Sequence, residues 1–149
     1  MSRVDFYFNV SDELRFVCRL VRKILYDETI NISEPLVIFC SEKSKFQEID
    51  KLLYSFSADD FIPHVHIGSP LESQTPVILS PNPWLPKIPR RAKVLINLDY
   101  KICEVFVSFD RVIEIVTKKE KLIEPARKKY TYYKNRGYEV HNHNIGKKS

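Results

Sequence analysis

Glycine is scarce in this 149-residue chain, with only Gly68, Gly137 and Gly146 present. A phosphate-cradling loop needs several glycines at fixed spacing, so neither the loop that ends in Lys-Ser/Thr nor the Gly-x-Gly-x-x-Gly dinucleotide turn can be written anywhere. The Gly-x-Ser-x-Gly nucleophile elbow is missing for the same reason. Cysteine is equally sparse. Cys18, Cys40 and Cys103 are odd in number, scattered and set among apolar neighbours, which reads as small core residues in a reducing compartment and not as a disulfide framework or metal site. No apolar run approaches the 18 residues of a membrane span, and Met1 to Phe6 lacks the charge-then-apolar layout of a signal peptide. The expectation is a cytoplasmic protein without membrane contact or cofactor.

What is present suits one soluble domain with a single core: 44% hydrophobic, 12% aromatic and 29% charged residues. The net charge is +5, but residues 117–149 hold ten Lys/Arg against three Glu, a local +7 that leaves −2 for residues 1–116. Lys118, Lys119, Lys121, Arg127, Lys128, Lys129, Lys134 and Arg136 share one helical stretch. Such a field attracts nucleic acid, an anionic membrane or an acidic peptide; the plain alternative is a solvated helix face.

Val4, Phe6, Phe8 and Val10 recur with period two and predict a strand. Ser11 is positioned as an N-cap for a helix over 12–27, whose stripe is Leu14, Val17, Cys18, Val21, Ile24 and Leu25. Pro35 to Cys40 is apolar on both faces, as in a central parallel strand, and Ser41 opens a second helix with stripe Phe46, Ile49, Leu53 and Phe56. Further strands are predicted over 62–67, 76–79, 93–98 and 111–116. Residues 101–109 suit either a short helix or an extended segment. Prolines at 81, 83, 86 and 89 make an extended loop around Trp84, which either anchors that loop or meets a partner. Thr117-Lys118-Lys119-Glu120 has capping-box spacing ahead of a last helix that ends at Gly137, with Pro125 kinking it or moving its start to about 124. The order strand, helix, strand, helix defines an α/β layer fold.

No constellation for catalysis emerges. His64/His66 and His141/His143 each place two rings on one strand face, half of a zinc site, but no cysteine or carboxylate lies at ligand spacing. Asp59-Asp60 reads as turn chemistry. Recognition surfaces are better supported. Arg127, Tyr130 and Lys134 fall at i, i+3 and i+7, so a guanidinium, a phenol and an ammonium share a face suited to an acidic peptide ending in an aromatic residue. Tyr54, Phe61, Ile62 and Pro63 form either an exposed anchor patch or a closing piece of core.

Five segments, in order, resemble the chi subunits of bacterial DNA polymerase III holoenzyme: Asp5-Phe6-Tyr7; Asp60-Phe61-Ile62-Pro63-His64; Val94-Leu95-Ile96-Asn97-Leu98; Phe109-Asp110-Arg111-Val112-Ile113-Glu114-Ile115-Val116; and Ala126-Arg127-x-x-Tyr130-x-x-Tyr133-Lys134-x-x-Gly137-Tyr138. The resemblance implies one three-layer Rossmann-like domain over residues 1–138, with a mostly parallel sheet and no nucleotide loop, followed by a loosely held basic tail over 139–149. It implies an accessory subunit without catalytic residues of its own that contacts DNA only indirectly. The psi subunit of the clamp loader, or a helicase-like competitor for the same surface, is expected at Tyr54, Phe61, Ile62, Pro63 and His64. The acidic C-terminal tail of single-stranded-DNA-binding protein is expected at Val116, Arg127 and Tyr130. Two lysines of the family pocket fall on Ile123 and Thr131 here, so Lys121, Lys128 or Lys134 are expected to supply that charge. The competing readings are direct single-stranded nucleic-acid binding, with Tyr130, Tyr132, Tyr133 and Tyr138 stacking on bases, and a small enzyme that uses its histidines.

Overall fold

The computed structural model describes residues 2–27, 34–55, 62–66, 75–81, 93–103 and 106–146. Phe56, the Ser57 to Phe61 turn and the loop around Trp84 lie outside the described residues. The strands are β1 (Arg3–Val10), β2 (Leu36–Phe39), β3 (Val65–His66), β4 (Val77–Ser80), β5 (Val94–Asn97), β6 (Arg111–Thr117) and β7 (Glu139–Asn144). The helices are α1 (Glu13–Asp27), α2 (Lys43–Ser55) and α3 (Ile123–Asn135). They build one seven-stranded sheet in the order β3-β4-β2-β5-β6-β1-β7, parallel at every described pairing.

The chain runs outward from β1 to β2 and β3, then returns through β4, β5 and β6 to the far edge at β7. Parallel crossovers keep one hand, so this reversal moves the later helices to the opposite face. Accordingly α1 and α2 cover one side, with Leu14, Val17, Val21, Ile24, Ile49 and Leu53 packed on Ile38, Leu79 and Ile96. On the other side Tyr133 of α3 and Phe106 of a 3-10 turn pack on Val4, Phe6, Phe39 and Val112. Layers on both faces explain why β2, β4 and β5 are buried at every position and carry continuous apolar runs. The three-layer α/β expectation holds.

The capping residues differ from those expected. Asp12, not Ser11, caps α1, its Oδ1 accepting from the Arg15 backbone N–H at 3.2 Å. Ser41 is not the cap of α2; its backbone N–H and hydroxyl both donate to the Asp99 carboxylate, at 2.9 and 2.6 Å. The Thr117 capping box does not form: a 3-10 turn Glu120–Leu122 intervenes, and Leu122 precedes α3 with no side-chain cap. Pro125 consequently sits in the first turn, where a missing N–H removes no helical bond. Gly137 is as expected. Its φ of +78° closes a Schellman motif in which Gly137 N–H donates to Lys134 O at 3.0 Å and Tyr138 N–H to Tyr133 O at 3.1 Å.

The segment expected as a loose tail is strand β7, paired to β1 from Arg3↔Glu139 to Phe8↔Asn144. Its polar sequence hides the strand because an edge strand needs no apolar face to be held by a ladder. At its end the β1 register shifts, Asn9 adopts φ +62°, and a Cβ on Gly146 would lie 2.7 Å from Asn9 Cβ. Glycine is needed there for close approach.

Candidate functional site

In an open parallel sheet the crevice outside the strand carboxyl ends is the usual ligand position. Here it is occupied by the protein's own side chains. Glu114, midway along β6 opposite the last residue of β5 and 1% exposed, takes Lys129 Nζ on Oε1 at 2.8 Å and, on Oε2, the Tyr133 hydroxyl at 2.7 Å and Asn97 Nδ2 at 3.2 Å. Lys129 also donates to the Asp99 carbonyl, and Asn97 to the Lys101 carbonyl at 2.9 Å. The network therefore locks α3 to β5, β6 and, through Asp99 and Ser41, to the start of α2. Burial and the Glu114 charge push the Tyr133 phenol above its ordinary value, so it is a fixed donor. Lys129 belongs to the basic run but is buried and spent, and Tyr133 is fully buried and unavailable to stack on a base.

Outside this lock, Phe6, Val116, Leu122 and Ala126 share in lining a cavity of about 20 Å³, room for a water molecule. Tyr130 packs edge-on against Phe6 at 5.6 Å between centroids, and Lys134 Nζ stands 5.9 Å from the centre of the Tyr130 ring. Val116 and Tyr130 are both half-buried. Arg127 follows Ala126 and is exposed, with no hydrogen-bond or ion-pair partner among the described residues; Lys121 and Lys128 are likewise exposed and unpaired there. The structure thus brings Val116, Tyr130 and Lys134 onto one side of α3, with Arg127 at helical spacing beside them.

The second predicted surface is split. Tyr54 is 54% exposed and lies 4.5 Å from the His64 ring, and Pro63 is exposed. Ile62 is instead buried in the α1/α2 core, because its N–H closes onto Leu53 O and turns the side chain inward. His64 is buried, bound through Nδ1 to Ile62 O at 2.7 Å and through Nε2 to Asp50 Oδ1 at 2.8 Å. Phe61 lies outside the described residues.

Carboxylates do reach the histidine pairs, from other elements at His64, His66 and His143 and from two residues away at His141. Asp50 also holds His66 at 3.3 Å, and Glu139 pairs with His141. His143 Nε2 meets Asp5 Oδ1 at 2.8 Å. Asp5 is fully buried and receives Arg111 Nε at 2.6 Å and an Arg3 guanidinium nitrogen at 3.1 Å as well. Burial would raise the Asp5 carboxyl, but the His143 and Arg111 hydrogen bonds and the Arg111 and Arg3 charges outweigh it and hold the group below its ordinary value. No group of three ligating side chains among the described residues is arranged to hold a metal ion. Sequence reasoning missed Glu114 and Asp5 as buried charges; a lone acid inside an otherwise apolar strand was the available signal.

These features define a class: a doubly wound, Rossmann-like parallel sheet whose crevice is closed by a buried charge network and flanked by a basic, aromatic helix. The C-terminal domain of the DEAD-box protein Dbp5 shares the architecture at a TM-score of 0.58, with 9% identity over 99% of this chain and 92% of that one. The family model for the DNA polymerase III chi subunit, HolC, matches residues 1–141. DNA polymerase III subunit chi of Pseudomonas aeruginosa is 28% identical over 97% of this chain and 98% of its own length. That of Haemophilus influenzae is 30% identical over 74% of this chain and 76% of its own. The chain belongs to the family of DNA polymerase III chi subunits, and so to the accessory proteins of DNA replication. No helix among the described residues is long and apolar enough to cross a membrane.

Proposed function

We propose that this chain is a non-catalytic adaptor that binds the acidic C-terminal tail of single-stranded-DNA-binding protein on α3 and the psi subunit on the Tyr54–Pro63–His64 face, joining the clamp loader to coated single strands. The observation that carries the reading is Arg127: an exposed guanidinium without a partner among the described residues, one helical turn ahead of the half-buried Tyr130 on α3 and following Ala126, which with Val116 shares in lining the small cavity under the helix. A guanidinium holds a planar carboxylate by two charge-assisted hydrogen bonds, and Val116 and Ala126 take the terminal apolar side chain. Lys121 lies in the 3-10 turn before α3 and Lys134 in the last turn of α3, at opposite ends of the segment, so they suit successive acids of an extended peptide rather than one carboxylate.

Non-catalytic character is supported by the thiols and histidines. Burial pushes Cys18 up to about 12 and Cys40 up to about 11, which removes the thiolate at neutral pH. All four histidines are already engaged by carboxylates. On the psi face, Tyr54 and Pro63 offer the exposed contacts while Ile62 and His64 hold the turn in place.

The test is a titration of wild type and Arg127→Ala with the C-terminal peptide of the cognate single-stranded-DNA-binding protein, and separately with bare oligonucleotide. Arg127→Ala is expected to weaken the peptide by about ten- to a hundred-fold, the loss of one charge-assisted bidentate contact. Removing both Lys121 and Lys134 is expected to weaken binding and flatten its salt dependence. Oligonucleotide binding without peptide binding would overturn the adaptor reading.

A further inference from the structure

The basic character of this protein is not confined to α3. Helix α1 carries Arg15, Arg19, Arg22 and Lys23, a ridge hidden in the overall −2 of residues 1–116 by acids elsewhere. Arg15 is paired with Asp12 at 3.5 Å. Arg19 and Lys23 are exposed, one helical turn apart, and have no hydrogen-bond or ion-pair partner among the described residues. Together they rim a groove of about 290 Å³ between α1 and the β1/β7 edge of the sheet. Its floor is apolar: Phe16, Leu20 and Ile24 of α1 below, with Ile145, 42% exposed, on the far wall. Arg111 closes one end. Among the described residues, every charged one that lines the groove is a cation. The nearest buried acid, Asp5, is already held by Arg111, Arg3 and His143.

We infer that this groove is a second peptide-docking surface, on the opposite face of the sheet from α3, for an internal acidic segment that carries one bulky apolar side chain. Charge complementarity sets the flanking residues, because Arg19 and Lys23 lie at the mouth and would pair with carboxylates on either side of the inserted group. Nucleic acid is the less suited anion because the described rings that line the groove offer no free face for stacking. The Tyr7 ring is stacked on His143 at 4.5 Å with 17° between planes, and Phe16 is buried against Tyr7. No main-chain carboxylate is needed, which separates this surface from the Arg127 site. The inference is independent of the adaptor reading.

The experiment uses the full-length protein and a fluorescent peptide of sequence Asp-Asp-Phe-Asp-Asp, acetylated and amidated so that it has no free terminal carboxylate. Wild type is expected to bind it with an affinity that falls as salt rises. Arg19→Glu/Lys23→Glu should weaken binding by at least about ten-fold, since two attractive contacts become repulsive. Arg127→Ala should leave binding within about two-fold. Both substituted positions are exposed, so an unchanged melting temperature separates lost binding from lost fold; Arg19→Gln/Lys23→Gln serves the same comparison with a milder change. Binding that survives the charge reversal, or is lost with Arg127→Ala instead, overturns the inference. So does a bare oligothymidylate that binds wild type where the peptide does not and is released by the same reversal. Loss of terminal-tail binding in Arg127→Ala alone tests the α3 site and leaves this one standing.

Discussion

Glu114→Ala is expected to lower the midpoint of thermal unfolding by roughly 6–20 °C, the largest effect of any single substitution outside the apolar core. The carboxylate is 1% exposed and compensates the Lys129 ammonium, whose side chain is 9% exposed. Removing one member of such a pair leaves a charge in a site built for two and costs about 3–5 kcal/mol. At about 2–4 °C per kcal/mol for a chain of this size, the shift follows. The cost belongs to the stranded charge more than to the lost contact. Glu114→Leu/Lys129→Met/Tyr133→Phe, which removes the ammonium and the phenol together with the acid, is therefore expected to recover most of the stability. Calorimetry of the three proteins decides the matter; a Glu114→Ala variant melting at the wild-type temperature would show that the network carries no net load. Because the network fixes α3 on the sheet, the same substitution should also weaken peptide binding at Arg127, whereas Arg127→Ala should not move the melting temperature.

The second large effect concerns Asp5 and acid. Asp5→Asn is expected to cost about 2–4 kcal/mol at neutral pH, somewhat less than a sealed pair because the Arg111 and Arg3 side chains keep 14% and 48% of their exposure. A carboxyl held below its unfolded value contributes stability that is fully present above the unfolded pKa, about 3.9, and is lost as pH falls through the lower folded value. The wild-type melting temperature should therefore fall below about pH 4, and the gap between wild type and Asp5→Asn should narrow steadily as the pH is lowered further. A gap of constant size from pH 7 to pH 2.5 would assign the effect to packing and not to charge. Since Asp5 holds His143, the protection of β7 amides, measured relative to their intrinsic exchange rates at each pH, should fall first on acidification.

The alternation of Val4 and Phe6, the fully apolar Leu36–Phe39 and the 3.6-residue stripe of α1 made the α/β layering legible, because burial on one or both faces writes its period into the residue order; Val10, expected on the same face, packs on the opposite one because the β1 register shifts at Asn9. The Gly137 terminus was legible too, since only a positive φ serves there. Strand β7 was not, because Glu-Val-His-Asn-His-Asn is held by backbone bonds to β1 and needs no apolar pattern. Capping was misplaced by one residue at α1 because Ser11 and Asp12 are chemically equivalent candidates and only the backbone path selects between them.

The candidate sites divide in the same way. Helical spacing alone puts Arg127, Tyr130 and Lys134 on one side of α3, so that face could be read from the order of residues. Which cations of the run remain available could not: Lys128 and Lys129 are neighbours in sequence, yet one is exposed and the other buried on Glu114. Asp5 meets His143 across 138 positions, and Asp50 meets His64 across 14. Local sequence determined the elements other than β7, the missing phosphate loop and the basic last helix of this chi-family chain. Only the tertiary structure decided which charges are spent inside, which stay free, and that Arg19 and Lys23 stand over an apolar groove, because those outcomes depend on neighbours that the chain supplies from its far ends.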